Sequence, residues 1–270
     1  MFKLLRRLML GIVVLAVFCI GCASTPRVHS PLHILFVGNS LTYVGNLPAV
    51  LDALASANGR RVQSDMIVEG GATLAQRVAD GSVARALRGK HYDTVVLQER
   101  GGDAICSSSK PDYCPAAEAA LASLTQLARE HGATPILLGT YQTAPPISKV
   151  LVETEAAAAR RLSIAYVSLS ERARFATEFA PSANWFYTDG GHPGHDLILL
   201  ESVLLYRQIF GQLPEATAFS VDAPMFTPHS KFSAPLPTSL VIFSKDTEQA
   251  YAYSADRVAK ALAIAERASR

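Results

Sequence analysis

Ser40 stands in the run Gly38-Asn39-Ser40-Leu41-Thr42, directly after the apolar stretch at residues 33–37. A side chain just beyond a buried parallel strand lies where α/β sheets collect their ligands. The backbone N–H groups of a turn or helix start at that point can hold an oxyanion. By itself a Gly-x-Ser turn equally suits a capping serine. The second group of interest lies far down the chain, at Tyr187-Thr188-Asp189-Gly190-Gly191-His192-Pro193. A serine hydroxyl ionises at too high a pH to attack a carbonyl unaided, so a neutral imidazole must take its proton and a carboxylate must fix the tautomer of that imidazole. Asp189 and His192 supply both groups. Gly190, Gly191 and Pro193 shape a turn in which two side chains three positions apart can converge.

These residues need a scaffold, and the chain alternates short apolar runs with helix-like segments, the mark of an α/β protein with a mostly parallel sheet. Strands are expected at 33–37, 61–68, 93–98, 135–138 and 164–167. Helices are expected at 47–58, with Asn46 as cap, Pro48 in the first turn and Gly59 as stop, then after Gly70-Gly71, and at 115–131, 148–161 and 195–210. From residue 211 to 244 the pattern gives way to Pro-rich sequence. A final amphipathic helix is expected over 247–269, its stripe formed by Tyr251, Ala255, Val258, Leu262 and Ala265 and packed back on the domain. The chain has 270 residues, 49% hydrophobic and 18% charged, which excludes a disordered protein. Its formal charge of +2 gives it no strong attraction to nucleic acid.

With Ser40, Asp189 and His192 in view, the sequence resembles the SGNH (GDSL-like) hydrolases over residues 32–214. The resemblance implies a flavodoxin-like three-layer α/β/α fold with a five-stranded sheet, Ser40 as nucleophile, and Asp189 and His192 as its partners. Asn39 stands where the family name has Asp. Glu69-Gly70-Gly71-Ala72 resembles the family's Gly block, with Gly71 the better match for the oxyanion N–H and Gly70 the alternative. The third block departs: in place of Gly-x-Asn-Asp the chain has Leu97-Gln98-Glu99-Arg100-Gly101-Gly102-Asp103. Gln98 offers the same amide donor on a longer side chain, so it is the candidate third oxyanion group beside the N–H groups of Ser40 and Gly71; otherwise it satisfies backbone groups at the strand end.

Residues 1–21 carry Lys3, Arg6 and Arg7 followed by an apolar run too short to span a bilayer comfortably, the outline of an export signal. Cys19-Ile20-Gly21-Cys22 resembles the lipobox of bacterial lipoproteins, which implies lipid on Cys22, a tether over 22–31, and a place in the cell envelope, at the outer membrane facing the periplasm. An ordinary cleaved signal or an uncleaved anchor is the alternative. If Cys22 is acylated and Cys19 lost, Cys106 and Cys114 remain as a pair in an oxidising compartment, where a disulfide is expected. Two Cys alone supply too few ligands for zinc.

Metal binding by Asp189, His192, His195 and Asp196 is disfavoured, because Pro193-Gly194 breaks regular helical spacing. Ser107-Ser108-Ser109-Lys110 matches a Ser-x-x-Lys pattern but lies in a polar Cys-bounded loop, and no nucleotide motif occurs. Trp185, Phe186, Tyr187 and Tyr141 are candidates for a site wall or for core. The expected function is therefore hydrolysis of a carboxylic ester through an acyl-serine, without metal or organic cofactor. The expected substrate is a short acyl ester on an envelope or extracellular carbohydrate. The alternatives are acyl transfer and a non-catalytic glycan- or protein-binding lipoprotein on the same scaffold.

Overall fold

The computed structural model describes residues 30–106, 111–230, 232, 235–237 and 250–267. The leader, Cys22, most of the tether and the Ser107–Lys110 run lie outside them. Strand β1 (Leu32–Gly38) is the centre of the sheet and is fully buried from Ile34 to Val37. Its side chains alternate between two cores, as the two-residue period of a strand requires. Ile34 and Phe36 face one core, Leu35 and Val37 the other. Such a strand has no polar side, so it is stable only between two layers of helix.

The sheet continues with β2 (Val62–Val68), β3 (Thr94–Leu97), β4 (Thr134–Leu138) and β5 (Ala165–Val167), all parallel, in the order β5-β4-β3-β1-β2. Beyond β2 a short antiparallel strand, β7 (Pro235–Pro237), extends the expected five strands to six. A separate antiparallel pair joins β6 (Phe219–Val221) to β8 (Tyr251–Tyr253). Chain direction reverses its walk across the sheet between β1 and β3. That is the switch point at which doubly wound sheets open a crevice beyond their carboxyl ends.

Helix α1 (Ser40–Tyr43) follows β1 and leads into α2 (Leu47–Ala57), capped by Asn46 as expected. After β2 come two short helices, α3 (Leu74–Ala79) and α4 (Ser82–Gly89), where one was expected. Helices α5 (Tyr113–Glu130), α6 (Pro145–Leu162), α7 (Ser170–Phe179) and α8 (His195–Phe210) complete the repeating part. Leu47, Leu51 and Leu54 of α2 and Leu197, Leu200 and Leu204 of α8 form the core on the Ile34 side. Leu74, Leu87, Leu121 and Leu124 form the core on the Leu35 side.

The last helix, α9, spans Ala255–Arg267, and the expected helical Tyr251 belongs instead to β8. Its buried side chains are Val258, Ala261, Ile264 and Ala265. It is fastened to α8 by Arg257 Nε, 2.8 Å from Asp196 Oδ1, and by Arg207 Nη1, which donates to the Ala265 carbonyl at 3.1 Å. Cys106 and Cys114 form a disulfide with their Cα atoms 4.9 Å apart.

Candidate active site

Two successive blocks converge at the switch point, one after β1 and one after β3. Gly38 ends β1, and a Cβ there would lie 2.1 Å from Thr42 Oγ1, so the helix start can fold back over the strand only because this residue has no side chain. Asn39 caps α1, its Oδ1 accepting from Leu41 N at 3.0 Å. Ser40 is then the first helical residue, half-buried. Its hydroxyl makes no hydrogen bond to another described residue.

Across the crevice, Thr42 Oγ1 donates to Gln98 Oε1 at 2.7 Å. This contact fixes the direction of the Gln98 amide. Gln98 is 1% exposed, and its Nε2 has no partner among the described residues; the same holds for Asn39 Nδ2. Two buried amide donors without acceptors in one locality are costly unless something else uses them. Gly70 and Gly71 lie in an exposed turn after β2, Gly71 at φ +71°.

The late block forms a closed loop. Phe186 and Pro193 bridge in antiparallel fashion, Tyr187 N donates to the His192 carbonyl at 2.8 Å, and Gly190 N donates to the Tyr187 carbonyl at 2.9 Å. At its tip His192 Nδ1 lies 2.6 Å from Asp189 Oδ2. Asp189 Oδ1 accepts from the backbone N–H of Gly191 at 2.9 Å and of His192 at 3.0 Å. Slight burial alone would raise the Asp189 pKa, but these N–H groups and the imidazole outweigh it and hold the carboxyl at about 2. Asp189 is therefore ionised at neutral pH, and Nδ1 carries the hydrogen-bonded proton. Nε2 is the ring nitrogen that remains to act as a base.

The loop is held from below by Tyr141, which follows β4. Its Oη donates to the Gly191 carbonyl at 2.8 Å, and its ring packs at 5.5 Å from Phe186. Burial raises the Tyr141 pKa well above its usual value, and the charges of Glu201 and Asp189 add to the effect, so Tyr141 stays a donor. Glu201 is 0% exposed, and neither carboxyl oxygen has a partner among the described residues. Burial pushes its pKa well above the usual range.

Sequence reasoning did not find the role of Tyr141, although its position just past a strand end was a signal. Nor did it find the seam between the Pro-rich segment and the turn that follows α1. There Gly45 N donates to the Phe226 carbonyl at 2.9 Å and Asn46 Nδ2 to the Pro224 carbonyl at 2.8 Å. Val44 and Gly45 face Tyr187, Pro193, Gly194 and Phe226 around a cavity of about 90 Å³, so the C-terminal end of the helix that Ser40 begins and the histidine loop adjoin. Of the aromatic candidates, Trp185 and Tyr141 belong to the core, while Tyr187 is exposed. His195 stacks on Tyr251 with ring centres 3.7 Å apart, and Asp196 pairs with Arg257.

A parallel sheet of this order between two layers of helix, with Ser40 after the first strand and the Asp189–His192 turn ahead of the last helix of the repeating part, is a three-layer α/β/α fold. Three solved structures share it. A DUF4886 family protein from Bacteroides uniformis superposes with a TM-score of 0.56 at 15% identity, over 68% of this chain and 84% of its own. An acetylxylan esterase from Geobacillus stearothermophilus gives 0.52 at 16% identity, over 67% and 95%. The psychrotrophic esterase of a Pseudoalteromonas species gives 0.51 at 15% identity, over 66% and 97%. No family model and no curated protein sequence matches the chain.

Proposed function

We propose that the chain is an SGNH-type serine esterase. The observation that carries this reading is the Asp189–His192 pair at 2.6 Å, held in a turn beside the helix that Ser40 begins. In the reading, His192 Nε2 takes the proton of Ser40 Oγ as the oxygen attacks the ester carbonyl. The negative charge that develops on the carbonyl oxygen is held by the N–H groups of Ser40 and Gly71 and by Gln98 Nε2, whose lack of an acceptor supports the assignment. His192 passes its proton to the leaving alkoxide, leaving an acyl-Ser40. It then deprotonates the water that attacks the acyl group, and the Ser40 oxygen leaves with that proton. Asp189, ionised throughout, fixes the tautomer and stabilises the imidazolium.

The favoured substrate is an acetyl or other short acyl ester on an envelope or extracellular carbohydrate. The fold similarity to an acetylxylan esterase supports it. The Cys106–Cys114 disulfide supports an oxidising compartment. A lipid on Cys22 would then tether the enzyme to the envelope, at the outer membrane facing the periplasm.

The test compares nitrophenyl acetate with longer acyl esters, using wild type and Ser40→Ala, and maps the adduct of an alkylphosphonate by mass spectrometry. Loss of at least about a thousandfold in kcat/KM, with the adduct on Ser40, is the expected result. A folded wild-type protein with neither turnover nor adduct would replace this reading with the binding-lipoprotein one.

A further inference from the structure

The irregular third block has a physical use that the oxyanion amide of Gln98 does not exhaust. Gly71 is exposed, sits at φ +71°, and has no described residue beyond its chain neighbours within 4 Å of where a Cβ would be, so nothing packs on that side of it. Two hydrogen bonds hold its carbonyl-side peptide instead. Ala72 N donates to the Glu69 carbonyl at 3.2 Å, and Arg100 Nη1 donates to the Gly71 carbonyl, also at 3.2 Å.

Arg100 is itself locked. Its Nε and Nη2 both bond Asp103 Oδ2, at 2.8 and 2.7 Å. Its guanidinium lies 5.2 Å from the centre of the Tyr113 ring, next to Cys114 of the disulfide. A guanidinium can do this because its donors point in fixed, separate directions, two toward Asp103 and one toward Gly71. Glu99 braces the same junction: buried to 5% exposure, its Oε1 accepts from Arg100 N at 2.8 Å and from Leu74 N, at the start of α3, at 3.2 Å.

We propose that Arg100 is a positioning residue for the oxyanion N–H of Gly71: by pinning the Gly71 carbonyl, on the peptide that follows, it limits the rotation at the Gly71 Cα that would swing the N–H of the preceding peptide away from the tetrahedral intermediate. This rests on the reading of Ser40 as nucleophile and Gly71 as oxyanion donor. Arg100 touches neither the nucleophile nor the base, so its loss acts on transition-state stabilisation and leaves the Asp189–His192 pair unchanged.

The experiment uses the full chain in detergent, with Arg100→Gln and Arg100→Lys. It measures kcat and KM for nitrophenyl acetate, the pH profile of kcat/KM, and the rate of phosphonate addition at Ser40. Arg100→Gln is expected to lower kcat and phosphonate addition by about ten- to a hundredfold. KM should move less than about threefold and the pH midpoints should stay in place, while Arg100→Lys falls between the two proteins. A kcat for Arg100→Gln within twofold of wild type overturns the proposal, and so does a loss carried entirely by KM, which would make Arg100 a substrate-binding cation. If Arg100→Gln does not fold, Arg100→Lys decides by the same split of kcat against KM. Full turnover in Ser40→Ala would instead remove the esterase reading beneath it, an outcome separate from an inactive Ser40→Ala beside unaffected Arg100 variants.

Discussion

Replacing Tyr141 with Phe tests whether the histidine loop is positioned by one hydroxyl. The substitution keeps the ring, and with it the 5.5 Å contact to Phe186, and removes only the 2.8 Å hydrogen bond to the Gly191 carbonyl. A neutral hydrogen bond of this kind contributes about 0.5–1.5 kcal/mol. Gly191 is exposed, so its freed carbonyl can be hydrated, which places the cost to stability near about 1 kcal/mol. For a domain of this size that lowers Tm by about 2–4 °C. The same free energy is available to the loop to leave its productive arrangement. Since about 1.4 kcal/mol is a factor of ten in population, kcat/KM for nitrophenyl acetate should fall by about three- to tenfold. The assays are thermal melting followed by circular dichroism, and steady-state kinetics at saturating and limiting ester. A Tyr141→Phe protein with the lower Tm but unchanged kcat/KM would refute the reasoning, because the hydroxyl would then be supporting the core alone.

Two further outcomes concern stability. Burial raises the Glu155 pKa from 4.5 to about 7, against three hydrogen bonds from Thr140 and Tyr166 that favour the charge. The folded state therefore holds this proton over a range where the unfolded chain has lost it, so stability falls as pH rises from about 4.5 to about 7, by up to about 3 kcal/mol. Urea unfolding at pH 5 and pH 8 should show a smaller decline for Glu155→Gln than for wild type, the remainder belonging to Glu99 and Glu201, whose pKa values burial also raises; equal declines in the two proteins would contradict it. Removing the disulfide by Cys106→Ser with Cys114→Ser should cost about 2–3 kcal/mol through the freed loop of eight-residue separation. Equal unfolding midpoints for the two proteins would show that the loop is already ordered without it.

The parts of this molecule legible in the sequence are those whose signal is local. Helix α8 was expected over the residues it occupies, because a broad apolar stripe runs between Gly194 and Gly211. Likewise, β1 was legible from the run at 33–37, in which four consecutive apolar residues follow His33. Helices α4 and α7 were not. The buried side of α7 is Ser170, Ala173 and Ala176, small residues that carry little hydropathic contrast. Tyr251 fitted a helical stripe with Ala255 and Val258, yet its strand is made by pairing with Val221, thirty positions earlier, and local period carries no trace of such a partner.

The site divides in the same way. Asp189 and His192 meet across a three-residue turn, and that turn was readable from Gly190, Gly191 and Pro193. Tyr141 reaches Gly191 over 50 positions, and Arg100 reaches Gly71 over 29, so both contacts exist only once the sheet order has brought separate strand ends together.

The seam between Asn46 and Pro224 spans 178 positions, among the longest sequence separations of any hydrogen bond between the described residues. Closing a loop of that length carries an entropy cost that the contacts of the seam must offset. The turn between α1 and α2, just past Ser40, is thus encoded early in the described chain and fastened by a segment 178 positions further on. A chain that ends before Pro224 would hold Ser40 without the two hydrogen bonds that fasten the turn behind it.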